Sequence, residues 1–213
     1  MSLYGNFAVV KIVEVKKMDF REKIGAAAER VIREHGLAKT TTKQIAKAAG
    51  CSEGSLYNYF RAKEDLFLHV VRNQLTNFMG VLTRLPDRIG KGSVQDNLEE
   101  VAAAGLADFL HSMPLLCSVF SETSLLDRLR EGMTERNEGP HRANEALAAY
   151  LSGEQRLGRI RAGVDPKAAA DLLLGSCFQH AFQLRFMGME KSEEERRQYV
   201  RMRVRELTHG IEA

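Results

Sequence analysis

The stretch TTTKQIAKAAGCSEGSLYNYFRAKEDL, residues 40–66, decides the fold of this chain. Thr41 and Gln44 have the spacing of a helix capping box, in which each side chain bonds the other residue's backbone. The alanine-rich segment that follows ends at Gly50, a residue type that adopts left-handed backbone conformations freely. Ser52 can then cap a second short helix. Two short helices joined by a tight turn containing glycine are the pattern of a helix-turn-helix.

Longer helices are predicted on both sides of this pair. Asp19 and Glu22 have the spacing of an N-cap pair, and an amphipathic helix follows them and ends at Gly36. Another helix begins near Lys63 and has apolar residues at helical spacing. The head of the protein is therefore predicted to be a helix-turn-helix braced by a preceding helix.

The rest of the chain also reads as helical. Residues 85–93 hold Pro86 and two glycines and predict a loop. Helices are predicted over residues 95–111, after Pro140, over residues 166–186 and from about residue 192 to the end. No segment shows the sustained alternation typical of strands, so the fold class is all-α.

Composition limits the classes of protein that fit. The chain has 213 residues, of which 44% are hydrophobic and 28% charged, as in ordinary globular proteins. The absence of a long apolar run predicts no membrane span. Three separated cysteines, Cys51, Cys117 and Cys177, predict free thiols packed as small apolar groups in a reducing cytoplasm. In residues 1–18 the lysines follow the apolar stretch, so we expect an extension, either a tag or an upstream start, rather than a secretory signal.

An enzyme is not indicated. Glu138 and His141 have the spacing of a carboxylate–histidine metal pair, but Gly139 and Pro140 stand between them and disfavour a helix there. The chain shows no phosphate-binding loop, nucleophile elbow or dinucleotide-binding glycine motif. We therefore predict no catalytic residues, no metal and no cofactor.

Three aromatic residues crowd the second short helix of the pair. Leu56 and Phe60 share one helical face and are predicted to point inward. Tyr57 and Tyr59 project from the outer and flanking faces. They are either half-buried packing residues with solvated hydroxyl groups or contacts to a partner. Basic residues outnumber acidic ones before residue 80 and not after it, which favours an anionic partner for the head.

Double-stranded DNA fits the chemistry of this surface. Gly54 lets a backbone approach closely, Asn58 can read adenine, and Lys43 can reach guanine or phosphate. The threonine and serine hydroxyls near the helix starts can hold phosphates, and Lys63 supplies a further charge. Glu53 can accept from cytosine, but we favour an ion pair with Lys43 or an interaction with the helix dipole. The predicted DNA-binding residues are Thr41, Thr42, Lys43, Ser52, Glu53, Gly54, Ser55, Tyr57, Asn58, Tyr59 and Lys63.

Residues 20–70 resemble the DNA-binding head of the TetR family of transcriptional regulators. The matching positions are Thr42, Ile45, Ala46, Ala49, Gly50, Ser52, Gly54, Ser55, Leu56, Tyr57, Tyr59, Phe60, Lys63, Glu64 and Leu66. The resemblance implies that Tyr57 and Tyr59 contact the DNA backbone and groove and that Lys63 contacts a phosphate. It also implies that Lys43, Glu53, Gly54 and Asn58 are the variable base readers. Two positions depart from the family pattern, since Cys51 stands where a valine is common and Ala62 where a capping residue is common.

The resemblance also implies about nine helices, a C-terminal helical bundle and a homodimer built from the last two long helices. The apolar residues of segment 166–186 cover almost every helical face, which a partner subunit can explain, although a central helix of a monomeric bundle is an alternative. The predicted interface residues are Leu173, Cys177, Ala181, Val200, Val204 and Leu207.

Regulators of this family typically bind a small effector in the C-terminal bundle. The expected effector is largely apolar, and its candidate contacts combine apolar bulk with a few polar groups, although core packing is an alternative for each. These candidates are His111, Met113, Phe120, Phe178, Gln179, His180, Phe182 and Gln183. We predict a DNA-binding domain over residues 19–66 and an effector-binding and dimerisation domain over residues 67–213. The expected function is a repressor released from a near-palindromic operator, and the alternatives are a regulator without an effector or an activator.

Overall fold

A computed structural model describes residues 19–211, and within them the chain folds into ten α-helices. The predicted N-terminal extension, residues 1–18, lies outside the described residues. The all-α prediction is confirmed. The helices are α1 (Phe20–His35), α2 (Thr42–Ala49), α3 (Glu53–Tyr57), α4 (Lys63–Arg72), α5 (Thr76–Arg84), α6 (Val94–Phe120), α7 (Thr123–Glu135), α8 (His141–Arg156), α9 (Pro166–Phe186) and α10 (Glu193–Ile211).

Helices α4 and α5 form one nearly continuous stretch, because a 3₁₀ turn over Asn73–Leu75 joins them directly. Counted as a single rod, they bring the number of helices in the described residues to the expected nine. The side chain of Gln74 is buried in the turn and donates from Nε2 to the carbonyl of Val70 at 3.3 Å. The rod therefore links the head directly to the body.

Local capping in the head follows the sequence. Asp19 accepts from the backbone of Arg21 at the start of α1, and Thr41 and Gln44 form a complete capping box on α2. Gly50 ends α2 in the left-handed region, with φ of 70°. Ala62, the N-cap residue of α4, provides no side-chain cap, as the departure from the family pattern predicted.

Helix α6 is longer than predicted because it continues through Pro114 to Phe120. A proline inside a helix has no N–H to donate to the carbonyl four residues earlier, which here belongs to Leu110. Nε of Arg185, from α9, donates to that carbonyl at 2.8 Å. A neighbouring helix thus supplies the hydrogen bond that the proline removes, and α6 runs on without an orphaned carbonyl at Leu110.

Helix α6 is also the central helix of the body, with α5, α9 and α10 packed around it. By length and hydropathy alone it would pass as a membrane span. Its position inside the bundle accounts for this apolar composition, since a core helix has the same pattern. Residues 85–93, predicted as a loop, begin with a 3₁₀ turn over Leu85–Arg88.

The face of α9 predicted for the dimer interface is the face that points into the protomer's own core. Leu173, Cys177 and Ala181 are fully or almost fully buried in the protomer's own core, and Val200 and Val204 of α10 join them. Leu207 is partly buried against the same core. These side chains are already occupied by packing within the protomer, so the interface set stays a prediction, and this packing disfavours it.

The outward face of α9 carries a second apolar stripe. Leu172, Phe182 and Phe186 are exposed, Leu172 and Phe186 to 67% and 75%. Together with the exposed Gly175 and Gln179 they recur at spacings of three and four residues, which places them along one side of the helix. Because α9 has apolar residues on both faces, the sequence pattern could not show which face is internal.

The body contributes to the core of the head. Leu115 and Val119 of α6 and Leu125 and Leu129 of α7 belong to the same buried cluster as helices α1–α4. The predicted boundary between residues 66 and 67 falls inside α4, whose apolar residues pack in this cluster on both sides of that point. The head thus packs as one unit with the near end of the body.

Candidate nucleic-acid interface

The helix-turn-helix presents α3 on a short, firmly capped turn. The Ser52 hydroxyl accepts from the backbone N–H of Ser55 at 3.1 Å and lies 2.8 Å from the Ser55 hydroxyl. Leu56 is fully buried beneath α3, and Phe60 is buried just beyond it. The five residues of α3 are therefore held by a cap at one end and by apolar anchors below, which leaves the outer face free.

A hydrogen-bonded brace ties α2 to α3. The Thr42 hydroxyl donates to the carboxylate of Glu53, and the Tyr57 hydroxyl lies 3.5 Å from Thr42 Oγ1. Thr42 is only 9% exposed, so its hydroxyl points into the protein and not outward as expected. The favoured ion pair of Glu53 with Lys43 is also replaced, since the partner of Glu53 is Thr42. The hydrogen bond between Thr42 and Glu53 therefore joins α2 to α3.

The other polar residues near the helix starts divide into two groups. The hydroxyl of Thr41 is engaged with Gln44, at 2.9 Å from Gln44 Oε1, and with the backbone N–H of that residue. Lys43 and Asn58 are exposed, and neither forms an ion pair or a side-chain hydrogen bond among residues 19–211. The structure therefore leaves Lys43 and Asn58 available to an external partner.

Gly54 lies on the exposed face of α3, in ordinary helical backbone. A methyl group added there would meet only Ser52 Oγ, at 3.9 Å, which is normal van der Waals contact. Neither a left-handed conformation nor crowding inside the protein requires glycine at this position. A smooth backbone at this point suits the close approach of an outside surface.

The two tyrosines are partly exposed beside Gly54. Tyr57 is 45% and Tyr59 39% exposed. The ring of Tyr59 packs on Phe20, with ring centroids 5.4 Å apart, and its backbone carbonyl accepts from Arg21 at 2.6 Å. Each tyrosine is thus half-buried with a surface facing solvent, and contact with a partner stays a prediction.

Helix α4 starts without a side-chain cap, and the two carboxylates of its first turn, Glu64 and Asp65, pair with Arg128 of α7. Ala62 offers no side-chain acceptor, so the first backbone N–H groups of α4 are uncapped. Lys63 stands at the first position, with Nζ over the ring of Phe67 at 5.0 Å from its centroid. A lysine at a helix N-terminus is unfavourable beside the positive end of the dipole unless an anion binds there. This end of α4 is therefore suited to a phosphate group.

A polar cluster fixes α4 against α1 behind this surface. Asn73 Nδ2 donates to Glu22 at 3.1 Å, and His69 Nε2 lies 3.6 Å from the same carboxylate. A methyl group on Gly25 would lie 2.8 Å from the His69 ring, so the glycine allows the two helices to approach closely. Burial lowers the pKa of His69, and the charge of Glu22 opposes this only in part.

The residues predicted to contact an effector do not form one site. His111 Nε2 lies 2.8 Å from Glu29 of α1, so this histidine links the body to the head. Phe120 is exposed at the end of α6, whereas Met113 is buried. The ring of His180 stacks on that of Tyr199, with the ring centroids 3.7 Å apart. Burial lowers the pKa of His180. The four remaining candidates all lie on α9 and are exposed: Phe178, Gln179, Phe182 and Gln183.

Two open clefts in the body were not indicated by the sequence. One, of about 420 Å³, lies between α5, α6 and α10. The other, of about 250 Å³, lies between α6, α9 and the start of α10. Arg196 lines both. None of the eight predicted effector contacts lines either cleft. The sequence gives no signal for these clefts, because each depends on how distant segments of the chain pack together.

Comparison with known proteins identifies both parts of the chain. The family described as "Bacterial regulatory proteins, tetR family" matches residues 24–70. The family described as "AefR-like transcriptional repressor, C-terminal domain" matches residues 111–207. The two matches together span about two thirds of the chain.

Individual relatives agree with these matches. The "Fatty acid metabolism regulator protein" of Bacillus subtilis is 26% identical over 164 residues, which cover 76% of this chain and 80% of the relative. A TetR-family regulator structure from Mesorhizobium loti has a TM-score of 0.75 at 21% identity, covering 91% of this chain and 97% of that one. The transcriptional regulator FadR from Bacillus subtilis, solved with stearoyl-CoA, has a TM-score of 0.63 at 20% identity, with 86% and 96% covered.

Proposed function

The chain belongs to the TetR family of DNA-binding transcriptional regulators, and from that premise we propose that it is a homodimeric repressor released from its operator by a small, largely apolar effector. The related proteins are regulators and not enzymes. The observation that carries the proposal is the exposed face of α3, where the protein's own packing gives no reason for a glycine at Gly54.

We assign the DNA contacts to three parts of the head. Lys43 and Asn58, exposed and uncommitted within the described residues, read base edges in the major groove. Tyr57 and Tyr59 contact the sugar-phosphate backbone on either side of Gly54. Lys63 and the uncapped start of α4 hold a phosphate. Thr42 and Glu53 set the angle of α3 and do not contact DNA.

The proposed dimer uses the outward stripe of α9. Leu172, Phe182 and Phe186 expose apolar surface along one side of a long helix, and a second copy would bury it. Two copies related by a two-fold axis would place their α3 helices in successive major grooves of a near-palindromic site. We expect Phe182→Glu to give monomers at micromolar concentration in sedimentation, and Leu157→Glu, at another exposed apolar position, to leave the dimer intact. A dimeric Phe182→Glu protein would contradict this interface.

Support for an apolar effector comes from relatives. One is named as a regulator of fatty acid metabolism, and a structural neighbour was solved with stearoyl-CoA. Release of DNA by an effector also fits the shared apolar cluster that joins the head to α6 and α7. A regulator that senses no small molecule is the second candidate, and it is favoured by the absence of an enclosed site among the eight predicted residues. The expected location is the cytoplasm, where such regulators meet DNA.

The decisive experiment is a footprint on the DNA upstream of the protein's own gene. We expect a protected near-palindrome that is lost with Tyr57→Ala. Protection should be retained with Lys167→Ala, which changes an exposed residue of α9 outside the proposed DNA-binding surface. Circular dichroism of each variant separates loss of contact from loss of fold. Protection that survives Tyr57→Ala would refute the assigned surface, and no protection anywhere in a genome-wide selection of bound fragments would refute the function.

A further inference from the structure

The larger cleft of the body has an apolar floor made by the middle of α6. Ala103 and Ala107 are exposed there, although α6 is the central helix of the bundle. Helices α5 and α10 pack on either side of this small-residue stretch and leave a trough between them. Leu106 from α6 and Val200 from α10 complete the floor. The volume of about 420 Å³ is in the range of small-molecule sites.

The carboxylates on the rim are already neutralised. Glu100 accepts two hydrogen bonds from Arg88, which lies outside the cleft, and this bonding raises the pKa of the Arg88 guanidinium. Glu193 pairs with Arg197 one turn further along α10. Neither carboxylate therefore contributes a free negative charge to the cleft.

Two arginines on the rim keep most of their charge uncompensated. Within residues 19–211 the one acidic partner of Arg84 is Oε1 of Glu100, at 3.8 Å, and Arg88 also donates to that oxygen. Arg196 donates to the backbone carbonyl of Lys191 at 3.0 Å, and among residues 19–211 it forms no ion pair. These two guanidinium groups stand at the border of an apolar trough, and Arg196 also borders the smaller cleft.

We propose that the cleft between α5, α6 and α10 binds an amphipathic acid, with its apolar part on the alanine floor and its carboxylate or phosphate at Arg196 and Arg84. A guanidinium group matches both anions by paired hydrogen bonds. This site rests on the proposed function, because the bound acid acts as the effector. It borders α5, which continues α4 into the head, so the occupied cleft changes the position of the DNA-binding surface.

Isothermal titration of the full-length protein tests the site. The probes are dodecanoic acid, dodecyl phosphate and 1-dodecanol, each below the concentration at which it forms aggregates. We expect at least one acid to bind and the alcohol to bind at least tenfold more weakly. The tighter of the two acids identifies the natural head group as carboxylate or phosphate. Equal binding of the acids and the alcohol, or binding of neither acid, overturns the proposal.

Variants locate the site. Arg196→Gln removes the charge, and Ala103→Leu fills the floor at an exposed position where the larger side chain does not disturb the core. We expect each to weaken binding of the acid at least tenfold. Arg201→Gln, also on α10, and Ala149→Leu, at an exposed position of α8, serve as matched controls and should bind normally. Unchanged affinity in both Arg196→Gln and Ala103→Leu overturns the assignment.

The same preparations separate this proposal from the repressor function. We expect the acid to reduce operator protection by the unaltered protein at least tenfold and not to affect protection by Arg196→Gln. Operator protection without acid binding overturns the cleft and leaves the repressor intact. Acid binding without any operator protection overturns the repressor and leaves the cleft as a binding site.

Discussion

Replacing Gly54 with alanine should separate stability from DNA binding. The added methyl group meets only Ser52 Oγ at 3.9 Å, so the fold accommodates it without movement. Alanine also loses less backbone freedom than glycine when a helix forms. Near the start of α3 we expect a gain of about 0.5 kcal/mol in unfolding free energy, which corresponds to a rise in Tm of about 1–2 °C for a chain of this size.

The DNA affinity should change in the opposite direction. The methyl group would stand between α3 and the groove, where a close backbone approach is proposed. A loss of about 1 kcal/mol in each half-site amounts to about 2 kcal/mol for the dimer, or roughly thirtyfold in Kd. Fluorescence anisotropy with the footprinted operator measures this loss, and thermal unfolding of the same sample measures the gain.

Gly80→Ala is the matched control for this experiment. Gly80 lies within α5, and a methyl group there would have no neighbour within 4 Å. Both variants should be more stable than the parent, and only Gly54→Ala should bind DNA more weakly. Parental affinity in the stabilised Gly54→Ala protein would refute the argument that the bare backbone of α3 serves contact with DNA.

Three further outcomes are expected. Lys63→Gln should weaken binding to cognate and random DNA alike and reduce the slope of log affinity against log salt by about 2, because each dimer loses two phosphate contacts; an unchanged slope would contradict that role. Because the pKa of His69 is lowered in the folded protein, the unfolded chain binds the proton more readily. The free energy of unfolding should therefore fall as the pH drops through about 6.5. Denaturant unfolding at a series of pH values should show a flatter dependence for His69→Gln. Arg185→Leu should lower the free energy of unfolding by about 1–2 kcal/mol, because it leaves the Leu110 carbonyl without a donor. The loss should be much smaller in a Pro114→Ala background, where a backbone N–H replaces the lost donor. Additive effects in this double-mutant cycle would refute the compensation.

Features that depend on neighbouring residues could be predicted from the sequence. The capping box of Thr41 and Gln44, the cap at Ser52 and the left-handed Gly50 involve side chains and backbone within a few positions. Local chemistry determines such interactions almost independently of the rest of the fold. The apolar anchor Leu56 followed from helical spacing for the same reason.

Features that depend on packing between distant segments could not be predicted. Thr42 lies at the start of a helix, where an outward hydroxyl is expected, and only the angle between α2 and α3 turns it toward Glu53. Helix α9 is apolar on two faces, so its periodicity could not show which face is internal. Helix α7 was not predicted, since in the described structure only Leu125 and Leu129 of that charged segment are buried.

The apolar cluster that joins the head to α6 and α7 has a consequence for how such regulators diversify. Leu115 and Leu129 lie far along the chain from α1–α4, yet they fill the same core. A recombination event that exchanged only the first 72 residues would bring in a head whose underside does not match the body that receives it. The inherited unit that recognises an operator is therefore discontinuous in the gene, and new pairings of operator and effector should arise more readily by point substitution on the outer face of α3 than by exchange of whole heads.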